Sequence, residues 1–423
     1  MKLAIDPGQR FTCQQCGRCC RRGWDIAVTP GEVDAYRRAG AERWFHEAGG
    51  AAEGASVPPF EDVPGRPGVL RIRKRADGAC GFLSPDNRCR IHEEMGGSSK
   101  PLTCRVFPFR FHPGEGPALV TASFSCPTVL ANEGALVSEQ ADELAALHRE
   151  WTRTFPEEPP GLVFALERPL RGAALGRVRR ILRELLERPG AGGKPDLRES
   201  VARMGHLLDD WSRLRVVSLP DDAFTEYVEL TGAFAVGSPK PPPPRRASRL
   251  SRLLFRGFVY AIVAARLQLE DGRRRGLRLG LRLRLARLLA RAHGLWPGGD
   301  DIDLGAVRRA RVDLARPGLH EVAHQYLRAS IETLGTGRRP VVEEAGLAVA
   351  LLHAGCVLAA MRAGRAGHAD VDRGGLAQGL MDASDLTHAD PGAAYGALLG
   401  TLSGGVEACF LFAEGWPYRA ADV

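Results

Sequence analysis

At 423 residues the chain is long enough for two or three domains with cores of their own, and its 44% hydrophobic and 26% charged residues are ordinary for a soluble globular protein. The net charge of +8 invites a nucleic-acid reading, but only five of the 58 basic residues are lysines. So much Arg beside Ala, Gly and Pro reads as the coding bias of a GC-rich genome, and nucleic acid is not the expected partner. Residues 1–10 hold no apolar run that would serve as a signal peptide. The longest unbroken apolar stretch, 257–265, falls far short of the roughly 20 residues a bilayer requires. The expected setting is therefore cytoplasmic and without a membrane span. There, clustered cysteines hold metal or do redox work more often than they form structural disulfides.

In chain order, the first feature is Cys13-Gln-Gln-Cys16-Gly-Arg-Cys19-Cys20, four thiols within eight residues. Thr29-Pro30-Gly31-Glu32 then reads as a helix start, with an N-cap, a proline at the first helical position and an acid at the third. Val33, Tyr36 and Arg37 continue that helix, and Trp44 and Phe45 are placed to fold back over the thiol loop. Residues 48–66 are Gly-, Pro- and Ala-rich and read as a loop. Val69-Leu-Arg-Ile-Arg-Lys74 alternates as a short strand does. Asp77-Gly78 and Ser84-Pro85-Asp86-Asn87 are turn sequences that set Cys80 and Cys89 on either side of a tight reversal. Residues 106–111 and 118–124 read as short strands beside Cys104 and Cys126.

From residue 134 the pattern turns helical, with helices expected at 136–155, 173–188, 197–214 and 220–235. The clearest is 173–188, where Leu175, Val178, Ile181, Leu182 and Leu185 recur at three and four. Ser238-Pro-Lys-Pro-Pro-Pro-Pro244 reads as a stiff polyproline linker. Beyond it, helices are expected at 248–270, 276–293, 305–314, 318–334, 341–363 and 392–414. Residues 277–285 alternate at strand period, but their Leu, Arg and Ala content favours helix. The expected fold class is mainly α: a small irregular metal-stabilised cysteine domain over 1–133, then helical bundle regions. These are a helical region at 134–237, the proline-rich linker at 238–247 and a helical C-terminal domain at 248–423.

A thiolate is a soft ligand suited to zinc and to iron–sulfur clusters. The candidate metal ligands are Cys13, Cys16, Cys19, Cys20, Cys80, Cys89, Cys104 and Cys126, eight of the ten cysteines. Zinc closes with four ligands, so eight thiols suit two all-thiolate sites. Cys13, Cys16 and Cys19 also have the spacing that wraps a [4Fe–4S] cluster, whose remote ligand is typically followed by proline, as in Cys126-Pro127. The favoured reading is an iron–sulfur centre, with zinc as the alternative. Side chains of neighbouring residues normally point apart, so one of Cys19 and Cys20 is expected to serve a second centre or remain a reactive thiol. Arg18, Arg21, Arg22 and Arg105 flank the thiols, where positive charge would lower thiolate pKa and offset the charge of the centre.

His320-Glu321-Val-Ala-His324 is a literal H-E-x-x-H, with Glu343 or Glu344 available as a third ligand. Pro317 puts His320 in a helix's first turn and no metzincin Gly or third His follows, so the motif reads as chance. Cys356 and Cys409 lie in Ala-, Leu- and Gly-rich helices and read as small buried apolar residues. The Arg-rich stretch 246–291 reads as a solvated bundle face.

Phe11-Thr-Cys13-Gln-Gln-Cys16-Gly17-Arg-Cys19-Cys20 with Val28-Thr29-Pro-Gly-Glu32 resembles the YkgJ-type CxxCxxCC proteins, a family described as zinc- or iron-chelating. Cys80-Gly-Phe82-Leu83, Cys89-Arg-Ile91-His92 and Pro101-Leu-Thr-Cys104-Arg105-Val-Phe107-Pro108 are similar as well. The resemblance covers roughly residues 11–130 and implies metal binding through the eight cysteines. The same cysteine domain occurs in flagellin lysine-N-methylase (FliB-like) proteins, chains of about this length with a helical C-terminal part. The long spacer 91–100 and the segment Thr121-Ala-Ser-Phe-Ser125-Cys126-Pro127 look like that branch. The compact first cluster, and Lys100 where the simpler family usually has Arg, depart from it. That branch implies a protein lysine N-methylase using S-adenosylmethionine on a protein substrate. No Gly-rich turn between strand and helix marks a Rossmann-type cofactor domain, although a cluster-bound S-adenosylmethionine needs none. The non-catalytic alternative is a zinc-binding scaffold or metal-handling protein whose helical part recruits a partner.

Overall fold

The computed structural model describes residues 2–22, 24–50, 57–63, 66–112, 117–155, 161–170, 172–190, 193, 195–213, 216–239, 310–336, 339–388 and 406–413. Within it, Thr29 caps the first helix as its sequence predicts. Its hydroxyl accepts from the Glu32 N–H at 3.2 Å, and Glu32 returns a bond to the Thr29 N–H at 2.7 Å. Helix α1 (Pro30–Ala39) follows and ends at Gly40, whose φ of 96° is the left-handed turn that starts α2 (Ala41–Glu47).

The chain divides into two compact units, Met1–Pro159 and Pro160–Val423. The first is built of short elements: β1 (Leu3–Ile5), β2 (Ala27–Val28), α1, α2, β3 (Phe60–Val63), β4 (Arg66–Ile72), α3 (Arg90–Met95), α4 (Leu102–Val106), β5 (Phe109–His112), β6 (Ala118–Ala122), α5 (Pro127–Ala131) and α6 (Ala141–Thr154). One sheet has the order β1-β6-β5, with β1 parallel to β6 and β5 antiparallel to it. The other, β2-β4-β3, is antiparallel throughout. Two apolar cores form beside these sheets. Ile26, Val33, Tyr36, Trp44, Phe45, Phe60, Ile72 and Phe82 make the first. Phe11, Leu102, Val106, Phe109, Val120, Val129 and Leu144 make the second.

The strand expected over 106–111 is corrected. Residues 102–106 form α4, opened by Cys104 and Arg105 N–H bonds to the Pro101 carbonyl at 2.8 and 3.0 Å, and the strand begins only at Phe109.

In the second unit the described helices are α7 (Gly172–Glu187), α8 (Leu197–Trp211), α9 (Asp221–Gly237), α10 (Pro317–Glu332), α11 (Val341–Arg365), α12 (Arg373–His388) and α13 (Val406–Ala413). No strand occurs among the described residues of this unit. Helix α11 packs against α8, α10, α12 and α13 and is the unit's spine. Where α11 meets α12, Arg362 Nη2 lies 2.6 Å from the fully buried Asp382 carboxylate, which also accepts from Gln378 at 2.9 Å. An unbroken apolar run proves too narrow a measure of membrane-crossing potential. Helix α11, interrupted by Glu343, Glu344 and His353, reaches a mean hydropathy of 1.7 over an 18-residue window and is long enough to cross a membrane; 78% of that window is buried, as in a core helix.

The described part of 305–314 is not helical. Ala310 and Val312 are buried while Arg311 and Asp313 are exposed, and Arg311 bridges to Asp370. That two-residue alternation serves an extended segment. Helix α12 is absent from the sequence reading. The expected helices at 248–270 and 276–293, the alternating run 277–285 and nearly all of the 238–247 linker lie outside the described residues.

Candidate metal centre

The thiol loop is pinned at both ends. Before it, the Phe11 N–H bonds the Ala135 carbonyl at 2.9 Å, and Gln140 Nε2 donates to the Phe11 carbonyl at 3.1 Å. Gly17 takes a φ of +67°, and its carbonyl accepts from Cys20 and Arg21 N–H at 3.1 and 3.2 Å, winding Cys19–Arg21 into a tight 3-10 turn. Trp24 Nε1 donates to the Cys19 carbonyl at 2.7 Å. This turn corrects the expectation that Cys19 and Cys20 diverge: their sulfurs stand 3.9 Å apart. Successive side chains in a 3-10 turn are rotated by about 120°, not by the half-turn of a strand, so adjacent residues can share a side.

The later cysteines come to this loop along separate routes. The Cys80 N–H bonds the Cys20 carbonyl at 2.7 Å. Lys74 and Cys80 form one bridge and Leu83 and Cys89 another, so the Ser84–Asn87 turn sets Cys80 and Cys89 on the two sides of a reversal. Cys104 sits in α4, which is tied to α1 and β2 by Leu102 N–H to Glu32 Oε1 at 2.9 Å and Thr103 Oγ1 to the Ala27 carbonyl at 3.2 Å. Cys80 belongs to the first core, and Cys20, Cys89 and Cys104 pack against that same core. Cys126 caps α5 and belongs to the second core, held toward the loop by Arg22 Nη2 on the Ser125 carbonyl at 2.6 Å. Cys13 and Cys16 are exposed.

Charge shows which thiols face one another. The hydrogen bond between the Cys19 and Cys20 thiols, with Lys100 nearby, lowers the pKa of Cys19 to about 6 despite burial. Cys20 is correspondingly raised, by that hydrogen bond, by burial and by the charges of Cys19, Cys80 and Cys104. Burial pushes Cys80 up to about 11 against the pull of Lys74, and raises Cys104 further with the help of Cys80 and Cys89. Cys89 is raised by burial, opposed by backbone N–H groups at the start of α3 and by Lys100. Cys126 is also raised by burial, with Cys16 as the thiol acting on it. Burial lowers Lys100, but Cys104, Cys89, Cys13 and Cys19 outweigh it and hold its ammonium above the ordinary range.

Cys20, Cys80, Cys89 and Cys104 thus share one core, with the Cys19 sulfur 3.9 Å from that of Cys20, while Cys126 belongs to the other core. Among the described residues no three His, Cys, Asp or Glu side chains stand together at metal-binding geometry. The thiols converge without closing a coordination shell. The donor set nonetheless fits a thiophilic metal: buried sulfurs that raise one another's pKa are relieved by a cation in their midst.

Among the leading electrostatic influences on Cys19, Cys80, Cys89 and Cys104, the cations are Lys74 and Lys100. Arg21 bonds Asn87, Arg22 bonds the Ser125 carbonyl, and Arg105 grips the Glu150 carboxylate with both Nη atoms. Lys74 carried no recognised motif and Lys100 was noted only as a departure from the family pattern; the scarcity of lysine in an arginine-dominated chain was the available signal.

His320 and His324 do share a face of α10, with rings 5.9 Å apart. His320 Nε2 bonds the Pro195 carbonyl at 3.0 Å, Glu321 is exposed, and Glu344 accepts from the Gly335 N–H. Burial and the neighbouring His320 lower the pKa of His324. Cys356 and Cys409 are fully buried.

Residues 12–127 match the family model named CxxCxxCC, described as "Putative zinc- or iron-chelating domain". The matched stretch lies inside the first unit and includes all eight candidate cysteines. No curated protein and no solved structure matches the chain.

Proposed function

We propose that the first unit binds metal in thiolate ligation through Cys13, Cys16, Cys19, Cys20, Cys80, Cys89, Cys104 and Cys126, as an iron–sulfur centre that also stabilises the unit. The observation carrying this reading is that three separate stretches of chain come together: the Cys19 and Cys20 sulfurs stand 3.9 Å apart, the Cys80 N–H bonds the Cys20 carbonyl, and Cys89 and Cys104 pack against the core that holds Cys80. The Cys13-x2-Cys16-x2-Cys19 spacing, and a Cys126-Pro127 thiol acted on by Cys16, support the [4Fe–4S] form. When bound, the centre would supply Lewis-acid or electron-transfer chemistry. The protein's own contribution is to deliver soft ligands, exclude water from Cys80 and Cys126, and balance charge.

Zinc has its own supporting observation. Cys20, Cys80, Cys89 and Cys104 pack against one core, and four thiolates are what a closed structural zinc site takes. Anaerobic purification followed by metal and acid-labile sulfide analysis separates the two; stoichiometric zinc without sulfide would end the cluster reading.

A lysine N-methylase activity rests on the sequence resemblance alone. Among the described residues of the second unit no strand is formed, so no parallel sheet of a Rossmann-type S-adenosylmethionine fold supports it there. Labelled S-adenosylmethionine with a lysine-rich protein substrate tests it; no incorporation by metal-loaded protein removes the activity for that substrate.

A further inference from the structure

Five of the 58 basic residues are lysines, and two of those five stand against the thiols. Lys74 is the cross-strand bridge partner of Cys80. That pairing sets two side chains on one face, with Cβ atoms about 5 Å apart. Lys74 Nζ is buried and has no hydrogen-bond partner among the described residues. A buried ammonium without an acceptor is strongly unfavourable unless an anion stands beside it, and the Cys80 sulfur becomes that anion when it is a ligand. Lys100 is fastened to the helix that carries Cys104. Its carbonyl is held by Arg105 Nε at 3.0 Å, and its ammonium lies within the field of Cys104, Cys89, Cys13 and Cys19.

The two side chains share a compact charge on a thin stem. Four thiolates around a divalent ion leave two negative charges, as they do around the [4Fe–4S] core in its dicationic state. Two lysines cancel them.

We propose that Lys74 and Lys100 are the counter-charges of the thiolate centre, two positioning residues whose fixed positive charge sets how tightly the cysteines hold metal. This rests on the metal-binding reading above and goes beyond it by naming what tunes the affinity.

The test is competitive titration of the full chain with zinc(II) and cobalt(II) against a chromophoric chelator. Wild type is compared with Lys74→Met, Lys100→Met and Lys100→Arg. Each Met variant is expected to bind roughly 10- to 100-fold more weakly. The cobalt–thiolate charge-transfer band should stay where it is, because the ligands are unchanged. Lys100→Arg, which keeps the charge on a half-buried side chain, should recover most of the loss, a rescue that a packing role would not produce. If Lys74→Met fails to fold by circular dichroism, the Lys100 pair decides alone. Met variants that bind as tightly as wild type overturn the proposal while leaving the centre intact. A wild-type chain without a cobalt–thiolate band sinks the metal reading itself, and the proposal with it.

Discussion

Gly81, next to Cys80, should tolerate no side chain. A Cβ built there lies 2.0 Å from Phe45 Cε2 and 2.9 Å from the Arg73 carbonyl oxygen. Neither neighbour can yield easily. Phe45 is fully buried and meets Phe82 edge to face at 5.6 Å. The Arg73 peptide is held by its N–H on the Pro59 carbonyl at 2.8 Å and by the Gly81 N–H on its own oxygen at 3.1 Å. Overpacking a core costs about 1–3 kcal/mol, and with one obstacle in the backbone Gly81→Ala belongs near about 3 kcal/mol. That is a large share of the roughly 5–15 kcal/mol by which domains are stable.

The two units need not unfold together, so a single melting temperature is a poor readout. Native-state hydrogen exchange over residues 73–91 reads the loss locally. About 3 kcal/mol corresponds to exchange faster by roughly a hundredfold at slow amides such as those of Cys80 and Leu83, while 341–365 stays unchanged. Gly31→Ala is the control: it lies in α1 with nothing within 4 Å of its Cβ, and should be neutral or slightly stabilising. Exchange in Gly81→Ala within a factor of about three of wild type, less than about 1 kcal/mol, would refute this account of the Phe45–Phe82 packing.

Raised thiol pKa values give a pH dependence of definite sign. Folding favours the neutral form of Cys80, so its contribution to metal-free stability is full below the ordinary thiol range and is lost as pH rises from there through about 11. Metal binding needs thiolates, so it must release protons and tighten as pH rises; calorimetric titrations in two buffers of different ionisation enthalpy should differ, and equal heats would contradict it. Thr29→Ala removes the capping box and should cost about 1 kcal/mol, read as exchange over 30–39 faster by roughly fivefold, with Thr29→Ser largely restoring protection. Glu321→Gln and His324→Gln should leave zinc stoichiometry unchanged, and a loss of one equivalent would revive the H-E-x-x-H motif. Gly379→Ala should destabilise the α11–α12 pair by about 3 kcal/mol or more, since its Cβ would fall 2.2 Å from the Gly355 carbonyl oxygen; a variant as stable as wild type by urea titration would contradict that contact.

Much of the fold was legible because its causes are local. The Thr29 cap, the turns at Asp77-Gly78 and Ser84–Asn87, and the apolar spacing of α7 depend on residues within a few positions of one another. Helix α12 was not legible. Gly374, Gly375 and Gly379 lower its intrinsic propensity, and its compensation lies elsewhere in the chain, where Gly355 lets α11 approach until added methyl groups would collide. Val106 read as the start of a strand but ends α4 for a similar reason: α4 is held by Glu32 and by contact with α6, neither of them near in sequence.

The candidate site divides in the same way. Side-chain chemistry belongs to a residue wherever it sits, so eight cysteines in the first third of the chain declared soft-ligand chemistry without any fold. Facing is a property of three-dimensional paths. Only the 3-10 turn puts the Cys19 and Cys20 sulfurs together, only the Lys74–Cys80 bridge sets an ammonium beside a buried thiol, and only the packing of α4 on α1 and β2 carries Cys104 to them. Sequence alone determined which atoms were available; burial and charge, which act through space and not along the chain, decided which of them meet.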